Sequence, residues 1–365
     1  MKKIVALTLA TSVAAGLFLS GCAMNESGST SESSSGADSG KREVNVCSWG
    51  EYIDPSLETQ FEEATGIEVN YTVVPSNEEL YSQLQTGGVN YDVIVPSDYM
   101  IARLIAEDRL QKLDYSKIPN YEKIGEQYKN LSFDPNNEYS VPYTWGTVGI
   151  IYNTKYVDEA DIGGWDLLWN EKYADRIVMI DNSRDAFAIA EAMLGYSLNT
   201  EDPDEIQAAA DLLAEQLPIL QSYQMDDMYN LMENEEAWIA PYYAGDAMLM
   251  MDENPDLAFY LPEDQTFNVF IDAMCIPASA ENKEEAELFI NFLCEPEISG
   301  GNMDYIGYGT PVSAAKEYMD PEMANNPVAY PDEETLARGE AFVALSDEAQ
   351  QLMDNLFNEV KAGLA

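Results

Sequence analysis

Histidine is absent from this chain of 365 residues. Its absence excludes Ser-His-Asp and Cys-His catalytic sites, the paired-histidine helix of metalloproteases, and most zinc and copper sites. The sequence also contains no G-x-S-x-G, P-loop or G-x-G-x-x-G motif. Two carboxylates suffice for glycoside hydrolysis, but 66 acidic residues make a chance pair inevitable, so that signal is weak. We therefore expect a protein that is not an enzyme and uses no cofactor or metal, with an exported carboxylate-pair glycan hydrolase as an alternative.

Cysteine is scarce, with four residues in the whole chain. Cys22 lies in the N-terminal segment, which leaves Cys47, Cys275 and Cys294 and at most one disulfide among them. No C-x-x-C pair is present, so the sequence supports neither a redox motif nor a thiolate zinc site. Cys47 and Cys275 lie in apolar, strand-like segments and are interpreted as small buried residues.

Basic residues are also few: 18 lysines and arginines stand against 66 acidic residues, giving a net charge of −48. This balance excludes a general nucleic-acid binder, because neutralising phosphates requires a basic surface. The acidic excess is compatible with a cationic ligand, although most carboxylates of such a chain form a solvated surface.

The one long apolar run extends from Ile4 to Phe18 behind the basic start Met1-Lys2-Lys3. It is too short to cross a bilayer and predicts a signal peptide over residues 1–21. Leu19-Ser20-Gly21-Cys22 looks like the bacterial lipobox, in which the cysteine is lipidated, whereas an ordinary cleaved signal with an incidental cysteine is the alternative. We expect an exported protein held only by a lipid on the outer face of the bacterial cytoplasmic membrane, or in the periplasmic space.

The segment after the lipobox, residues 22–42, is rich in serine and glycine and predicts a flexible tether. The folded part is expected to begin near Glu43. The remaining length is about twice that of a usual domain, which favours two lobes.

Strand and helix patterns alternate after the tether. Strands are predicted at 43–49, 67–74 and 91–96, with helices at 55–66 and 77–86, the latter with Asn77 as its N-cap. Further strands are predicted from about 141, at 147–152 and at 176–180, with a helix at 186–196 and strand-to-loop segments at 237–246 and 268–277. This alternation is typical of α/β lobes with right-handed crossovers.

Ligands of such sheets bind at the carboxyl ends of the strands. Two loops with polar and aromatic side chains follow strands at this edge, at residues 48–52 and 96–99. A third loop, at residues 181–185, follows a later strand. Topology therefore selects these loops as the candidate binding site.

Several short segments, in this order, resemble the polyamine-binding proteins of ABC importers, which take up spermidine and putrescine. They are residues 49–52 (Trp-Gly-Glu-Tyr), 65–67, 91–97, 141–146, 165–169, 282–286 and 306–311. The resemblance implies a two-lobed periplasmic-binding-protein-like fold of type II, each lobe a mainly parallel sheet flanked by helices, with the ligand in the interlobe cleft. It also implies the lobe boundaries: 43–146 and 271–312 for lobe 1, and 147–270 and 313–365 for lobe 2.

The resemblance further implies which residues contact the ligand. The positions that fall on the family's ligand contacts are Trp49, Glu51, Tyr52, Ser97, Tyr99, Asp185 (a Glu in the family), Tyr243 (a Trp in the family), Asp272 and Tyr308. Three positions depart from the spermidine-binding pattern: Asn182 replaces an Asp, Phe270 replaces a stacking Trp, and Phe342 falls near a polar Gln. Tyr243-Ala244-Gly245-Asp246 resembles the Trp-Ala-Gly-Asp of putrescine-binding members. This likeness adds Asp246 to the predicted ligand contacts and favours a shorter diamine as the ligand.

These residue types suit an amine on chemical grounds alone. A polyamine is an alkyl chain with ammonium groups, so its pocket needs separated carboxylates with flat apolar walls between them. Glu51, Asp185, Asp246 and Asp272 offer the carboxylates. We expect a monomeric solute-binding protein that captures putrescine or spermidine by lobe closure and delivers it to ABC permease subunits. The same fold with another small solute is the alternative, and a cargo with a carboxylate would need Arg184 in the cleft.

Overall fold

The computed structural model describes residues 42–363. The predictions of a signal peptide at 1–21, lipidation at Cys22 and a tether at 22–42 therefore lie outside the described residues, apart from residue 42. Nine strands and twelve α-helices alternate within the described part, joined by short 3₁₀ turns. The strands are β1 (Glu43–Ser48), β2 (Glu68–Val73), β3 (Val93–Ile94), β4 (Ser140–Asn153), β5 (Ile177–Ile180), β6 (Leu220–Gln224), β7 (Ile239–Tyr243), β8 (Leu257–Tyr260) and β9 (Val269–Cys275).

The helices cover the faces of this sheet and are mostly bounded by side-chain caps or by glycines. They are α1 (Pro55–Thr65), α2 (Asn77–Thr86), α3 (Asp98–Ala106), α4 (Ser183–Leu194), α5 (Pro203–Gln216), α6 (Met228–Glu233), α7 (Ala244–Glu253), α8 (Lys283–Leu293), α9 (Pro296–Ile306), α10 (Pro321–Ala324), α11 (Glu333–Leu336) and α12 (Asp347–Lys361). Within residues 42–363, none of these helices has both the length and the apolar character that crossing a bilayer requires.

The strands follow the order β2-β1-β3-β9-β4-β7-β5-β6, with β8 paired to β4. Strands β2, β1 and β3 pair in parallel and form a first strand group; β6, β5 and β7 pair in parallel and form a second. The antiparallel strands β9 and β4 connect the two groups. Strand β4 pairs with β9 through Thr147 and with β7 from Val148 onward, so one continuous strand passes from one group to the other.

Most predicted elements are present, although β3 covers only Val93–Ile94 of the predicted 91–96 and two helices differ at their starts. The N-cap of α2 is Ser76, whose hydroxyl accepts the Glu79 amide, so the assignment of Asn77 as the cap was wrong. Serine and asparagine are equally good caps, and Asn77 instead bonds to Ser97 with its side chain. Helix α4 begins at Ser183 rather than near 186, because Asn182 caps it by accepting the Asp185 amide.

The apolar core runs along both faces of the sheet. All four residues of β5 are buried, as expected for a strand covered on both faces. Cys47, Cys275 and Cys294 are buried and unpaired, which agrees with the interpretation of the first two as small core residues. The lobe boundaries at 146/147 and 270/271, which fall inside β4 and β9, stay a prediction.

Candidate functional site

A large cavity of about 610 Å³ opens where the two strand groups face each other. Its walls come from the segments that follow β1, β3, β5 and β7, together with β9 and the end of α9. Parallel strands place their carboxyl ends at one edge, so segments distant in sequence meet there. All twelve predicted ligand-binding residues line this cavity: Trp49, Glu51, Tyr52, Ser97, Tyr99, Asn182, Asp185, Tyr243, Asp246, Phe270, Asp272 and Tyr308.

Asp272 lies on β9 and is 2% exposed. Its Oδ2 accepts hydrogen bonds from Trp49 Nε1 at 2.9 Å and from the Tyr52 hydroxyl at 2.7 Å. Its other oxygen, Oδ1, has no hydrogen-bond partner among the described residues. Burial raises the pKa of Asp272, and Tyr52, Ser97 and Trp49 oppose that rise by stabilising the carboxylate. A buried carboxylate with one unsatisfied oxygen is costly unless a donor arrives, so the site is prepared for a cation.

Two further buried carboxylates each accept a bond from a tyrosine. Asp185, in the first turn of α4, accepts the Tyr243 hydroxyl at 2.7 Å. Asp246, in the first turn of α7, accepts the Tyr229 hydroxyl at 2.8 Å. Burial raises the pKa of each carboxyl to about 7. Both groups are therefore poised between the charged and neutral forms near neutral pH in the empty cavity.

Glu51 differs from the other acids because it is exposed at the mouth of the cavity. Its φ of 49° places it in the left-handed region, which is uncommon for residues other than glycine. The turn after β1 thus directs Trp49 and Tyr52 inward toward Asp272 and leaves Glu51 at the rim.

The apolar walls form a row of aromatic rings in edge-on or tilted contact. Tyr243 meets Phe270 at 5.8 Å between centroids, Phe270 meets Tyr308 at 6.1 Å, and Tyr308 meets Tyr52 at 5.3 Å. Such contacts each contribute about 0.5–1.5 kcal/mol beyond the area they bury. The row gives flat faces between the carboxylates, which suits an alkyl chain and offers cation–π contacts to ammonium groups.

Two glycines allow the Tyr308 ring to approach. A Cβ on Gly245 would lie 2.3 Å from that ring, and Gly307, with a φ of 78°, would place a Cβ 2.6 Å from the Gly245 carbonyl oxygen. The Gly245-Asp246 pair is therefore more than turn chemistry, because its glycine makes room for an aromatic wall.

Ser97 and Tyr99 connect the second loop to its neighbours. The Ser97 hydroxyl accepts a bond from Asn77 Nδ2 at 3.0 Å, and the Tyr99 hydroxyl donates to Glu78 at 2.8 Å. Asn182 serves as the cap of α4 and also donates to Glu78, at 3.4 Å. These three residues thus face the cavity while they fix the elements around it.

Sequence reasoning missed other lining residues. Tyr229, Tyr242 and Asp226 line the cavity but belong to a short helix, a strand interior and an exposed turn with no motif of their own. Phe342, whose position was only approximate from the sequence, lines the wall and packs edge-on against Tyr99 at 5.9 Å. Glu78, which lies behind the wall, had no assigned role either, because its bonds to Tyr99 and Asn182 are tertiary contacts.

Positive charge is missing from the walls. No lysine or arginine lines the cavity within residues 42–363. Arg184 is 1% exposed and directs its guanidinium to Asn199 Oδ1 and the Val343 carbonyl, over the ring of Phe342. In the same residues, no cluster of three or more acidic or cysteine side chains is arranged to hold a metal ion. Among residues 42–363, the cavity thus offers carboxylates and aromatic faces to a cation with apolar segments, and no basic side chain to an anion.

These features define a solute-binding protein: the chain belongs to the family of bacterial extracellular solute-binding proteins, whose model matches residues 57–331. It is 36% identical over 317 residues to the spermidine/putrescine-binding periplasmic protein of Salmonella typhimurium, covering 86% of this chain and 90% of that one. It is 31% identical to a putrescine-binding periplasmic protein of Pseudomonas aeruginosa, over 88% of this chain and 92% of the relative.

A solved structure agrees with this assignment. The substrate-binding protein of a spermidine/putrescine ABC transporter from Streptococcus pneumoniae superposes with a TM-score of 0.75 at 38% identity, covering 89% of this chain and all of that one. The fold is therefore the predicted α/β two-lobed binding-protein fold.

Proposed function

We propose that this protein captures a polyamine, putrescine or spermidine, between its lobes and delivers it to the permease of an ABC importer. One observation carries the proposal: three buried carboxylates, Asp185, Asp246 and Asp272, are set among aromatic walls in a cavity to which residues 42–363 contribute no basic side chain. The names of the relatives, which bind spermidine and putrescine, support the same cargo.

The chemistry of the cavity matches a flexible diamine or triamine. Each ammonium group is a donor without acceptors and needs a carboxylate, while each methylene segment needs an apolar face. Charge-assisted hydrogen bonds contribute about 1.5–3 kcal/mol each and cation–π contacts about 0.5–2 kcal/mol. A few of each, less the ordering of the ligand, are enough for micromolar affinity, about −8 kcal/mol.

Cargo with a carboxylate is disfavoured. Such a ligand needs an arginine in the cleft, whereas Arg184 is buried outside the cavity wall, with its Nη2 bonded to Asn199 and the Val343 carbonyl. A carboxylate beside Asp272 would also leave two like charges unpaired in a low-dielectric site.

The transport setting is part of the proposal. The signal segment at 1–21 would direct export and be removed, and a lipid on Cys22 would hold a monomer outside the cytoplasmic membrane, with residues 22–42 as a tether. There it would meet the permease subunits and perform no chemistry on its cargo. Mass spectrometry of the membrane-extracted protein, which would show a diacylated Cys22 as the first residue, tests the anchor.

A thermal-shift series tests the cargo. The protein is unfolded and refolded to remove bound ligand, then heated with putrescine, cadaverine, spermidine, spermine, a basic amino acid or a neutral sugar. At 100 times the dissociation constant, a ligand adds about 2.7 kcal/mol to the free energy of unfolding. A raised midpoint with polyamines that persists at physiological salt supports the proposal. Stabilisation by the sugar alone, or by none of these compounds, would reject it.

A further inference from the structure

Glu78 occupies a position between the lobes that the predicted site did not include. It lies in the first turn of α2 and is half-buried. Its Oε1 accepts the Tyr99 hydroxyl at 2.8 Å and its Oε2 accepts Asn182 Nδ2 at 3.4 Å. Tyr99 follows the first strand group and Asn182 follows the second, so one carboxylate holds a cavity wall from each lobe.

The local structure fixes Glu78 in this place. Asn77 exchanges two hydrogen bonds with Ser97, accepting its amide at 3.2 Å and donating to its hydroxyl at 3.0 Å. These bonds attach the start of α2 to the second binding loop. The adjacent Glu79 is exposed and accepts a bond from Gln83 on its own helix. Two consecutive glutamates thus have different surroundings.

Asp185 is the counterpart of Glu78 in the other lobe. Tyr243 donates to Asp185 as Tyr99 donates to Glu78, which gives two matching tyrosine–carboxylate pairs. The negative charge of Glu78 adds to burial in raising the pKa of Asp185. Within the described residues, neither carboxylate forms an ion pair, since the hydrogen bonds of Arg184 go to Asn199 and the Val343 carbonyl.

We propose that Glu78 is a positioning and charge-selecting residue of this site: paired with Asp185 from the opposite lobe, it provides the negative charge that draws one ammonium group of the ligand to the lobe interface. This inference rests on the proposed function and extends it. An ammonium beside Asp185 relieves the repulsion between the Glu78 and Asp185 carboxylates, which the buried Arg184 guanidinium offsets only in part, and this links ligand charge to lobe closure. Glu78 acts behind Tyr99 and Asn182, so it aims these two side chains as well as supplying charge.

The test compares Glu78→Gln with Glu79→Gln by calorimetric titration of putrescine and spermidine. In E78Q the side-chain amide oxygen still accepts the Tyr99 hydroxyl, so the fold is retained while the charge is lost. We expect the dissociation constant of E78Q to rise about tenfold, the scale of one charge-assisted contact. E79Q, the same chemical change one residue along, should bind as the wild type does.

The pH profile separates this role from a merely structural one. Groups facing Glu78 are Tyr99, Asp185, Asp354 and Arg184; those facing Asp185 also include Tyr243 and Asp272. Without the charge of Glu78, the pKa of Asp185 falls. The pH midpoint, at which half of the binding affinity is lost on acidification, should therefore move to lower pH in E78Q. Glu78→Asp, which keeps the charge, should restore the midpoint.

A double-mutant cycle with Asp185→Asn completes the design, because coupled charges give non-additive losses. If the wild type binds the polyamines and E78Q binds them with the same dissociation constant, the inference is rejected and the proposed function stands. The inference is also rejected if E78Q binds more weakly but its pH midpoint does not move and its loss of affinity adds to that of D185N. Such a result would indicate that Glu78 contributes only packing. If E78Q unfolds, E78D takes its place in the test. The inference is supported if the affinity and the pH midpoint of E78D differ from those of the wild type no more than those of E79Q do. A tenfold loss of affinity in E78D overturns it. A wild type that binds no polyamine rejects the proposed function itself.

Discussion

The chemistry of the cavity depends on buried carboxylates that differ in how many hydrogen bonds the protein gives them. Asp272 has one oxygen held by Trp49 and Tyr52 and the other without a partner among residues 42–363. Asp185 accepts the Tyr243 hydroxyl, and Asp246 accepts the Tyr229 hydroxyl. An incoming ammonium therefore completes hydrogen bonding that the protein leaves open, and it replaces water without displacing a protein cation.

Replacing Asp272 with Asn should weaken polyamine binding by at least tenfold. The substitution removes the charge opposite the ammonium, and a charge-assisted hydrogen bond contributes about 1.5–3 kcal/mol. Calorimetric titration gives the measurement, with Asp252→Asn as the matched control because Asp252 lines the cavity at an exposed position. Equal affinities for D272N and the wild type would remove Asp272 from the site.

Polyamine affinity should fall as the pH drops below 7. In the empty cavity, burial raises the pKa of Asp185 and Asp246 to about 7, so both carboxyls take up protons there, whereas a bound ammonium keeps them ionised. Each group that must ionise weakens binding by up to about tenfold per pH unit below its pKa. The ligand-free protein, by contrast, gains stability as the pH falls from about 7 toward about 4, because its folded-state pKa values are raised. Titrations and melting curves on both sides of pH 7 measure these effects; an affinity that rises in acid would contradict the assignment.

At the scale of elements, the site is assembled by strand ends, caps and close backbone approaches. The turn after β1 delivers Trp49 and Tyr52, the cap of α4 places Asp185, and α7 begins directly after β7 so that Asp246 faces inward. The sequence predicted these placements because each follows a readable apolar strand. The α2 cap at Ser76 and the role of Glu78 depend on tertiary contacts that a local pattern does not contain.

Replacing Gly245 with Ala should destabilise the protein and weaken ligand binding together. The new Cβ would lie 2.3 Å from the Tyr308 ring and force that wall to move. Overpacking of this kind costs about 1–3 kcal/mol of unfolding free energy. Denaturant unfolding and calorimetric titration measure the two effects.

Gly301→Ala is the matched control. A Cβ at Gly301 meets nothing within 4 Å, and the residue lies inside helix α9, where alanine is favoured. G301A should therefore be neutral or stabilising and should bind normally. If G245A behaves like G301A, Tyr308 is not held by the close approach of the two glycines.

At the scale of the whole molecule, the sequence predicted the lobed α/β architecture and brought all twelve chosen residues to one cavity. The twelve residues came from the family resemblance, and their role in binding stays a prediction. Loops such as residues 48–52 and 96–99 meet at the cavity because they follow strands that pair in parallel. Residues from elements without a strand signal were not predictable. Tyr229 and Phe342 reach the cavity only because α6 and the segment before α12 fold back onto it.

The association rate of a polyamine should fall as salt is added. A net charge of −48 attracts a cation over distances that salt screens, with a Debye length of about 10 Å at 0.1 M and about 3 Å at 1 M. Stopped-flow binding at increasing salt measures the rate. The dissociation rate serves as the internal control, because contacts inside a buried cavity are screened less. A salt-independent association rate would mean that long-range attraction has no part in capture.

The buried cysteines have a practical consequence. Burial raises the pKa of Cys47 to about 11 and that of Cys294 to about 12, and Cys275 is fully buried. Thiolates are the reactive form, so maleimide dyes should leave these three side chains unmodified in the folded protein. A cysteine introduced at Val343, which is 47% exposed beside the cavity-lining Phe342, would then carry a fluorophore alone within residues 42–363. Labelled in this way, the domain becomes an optical sensor whose emission reports ligand occupancy.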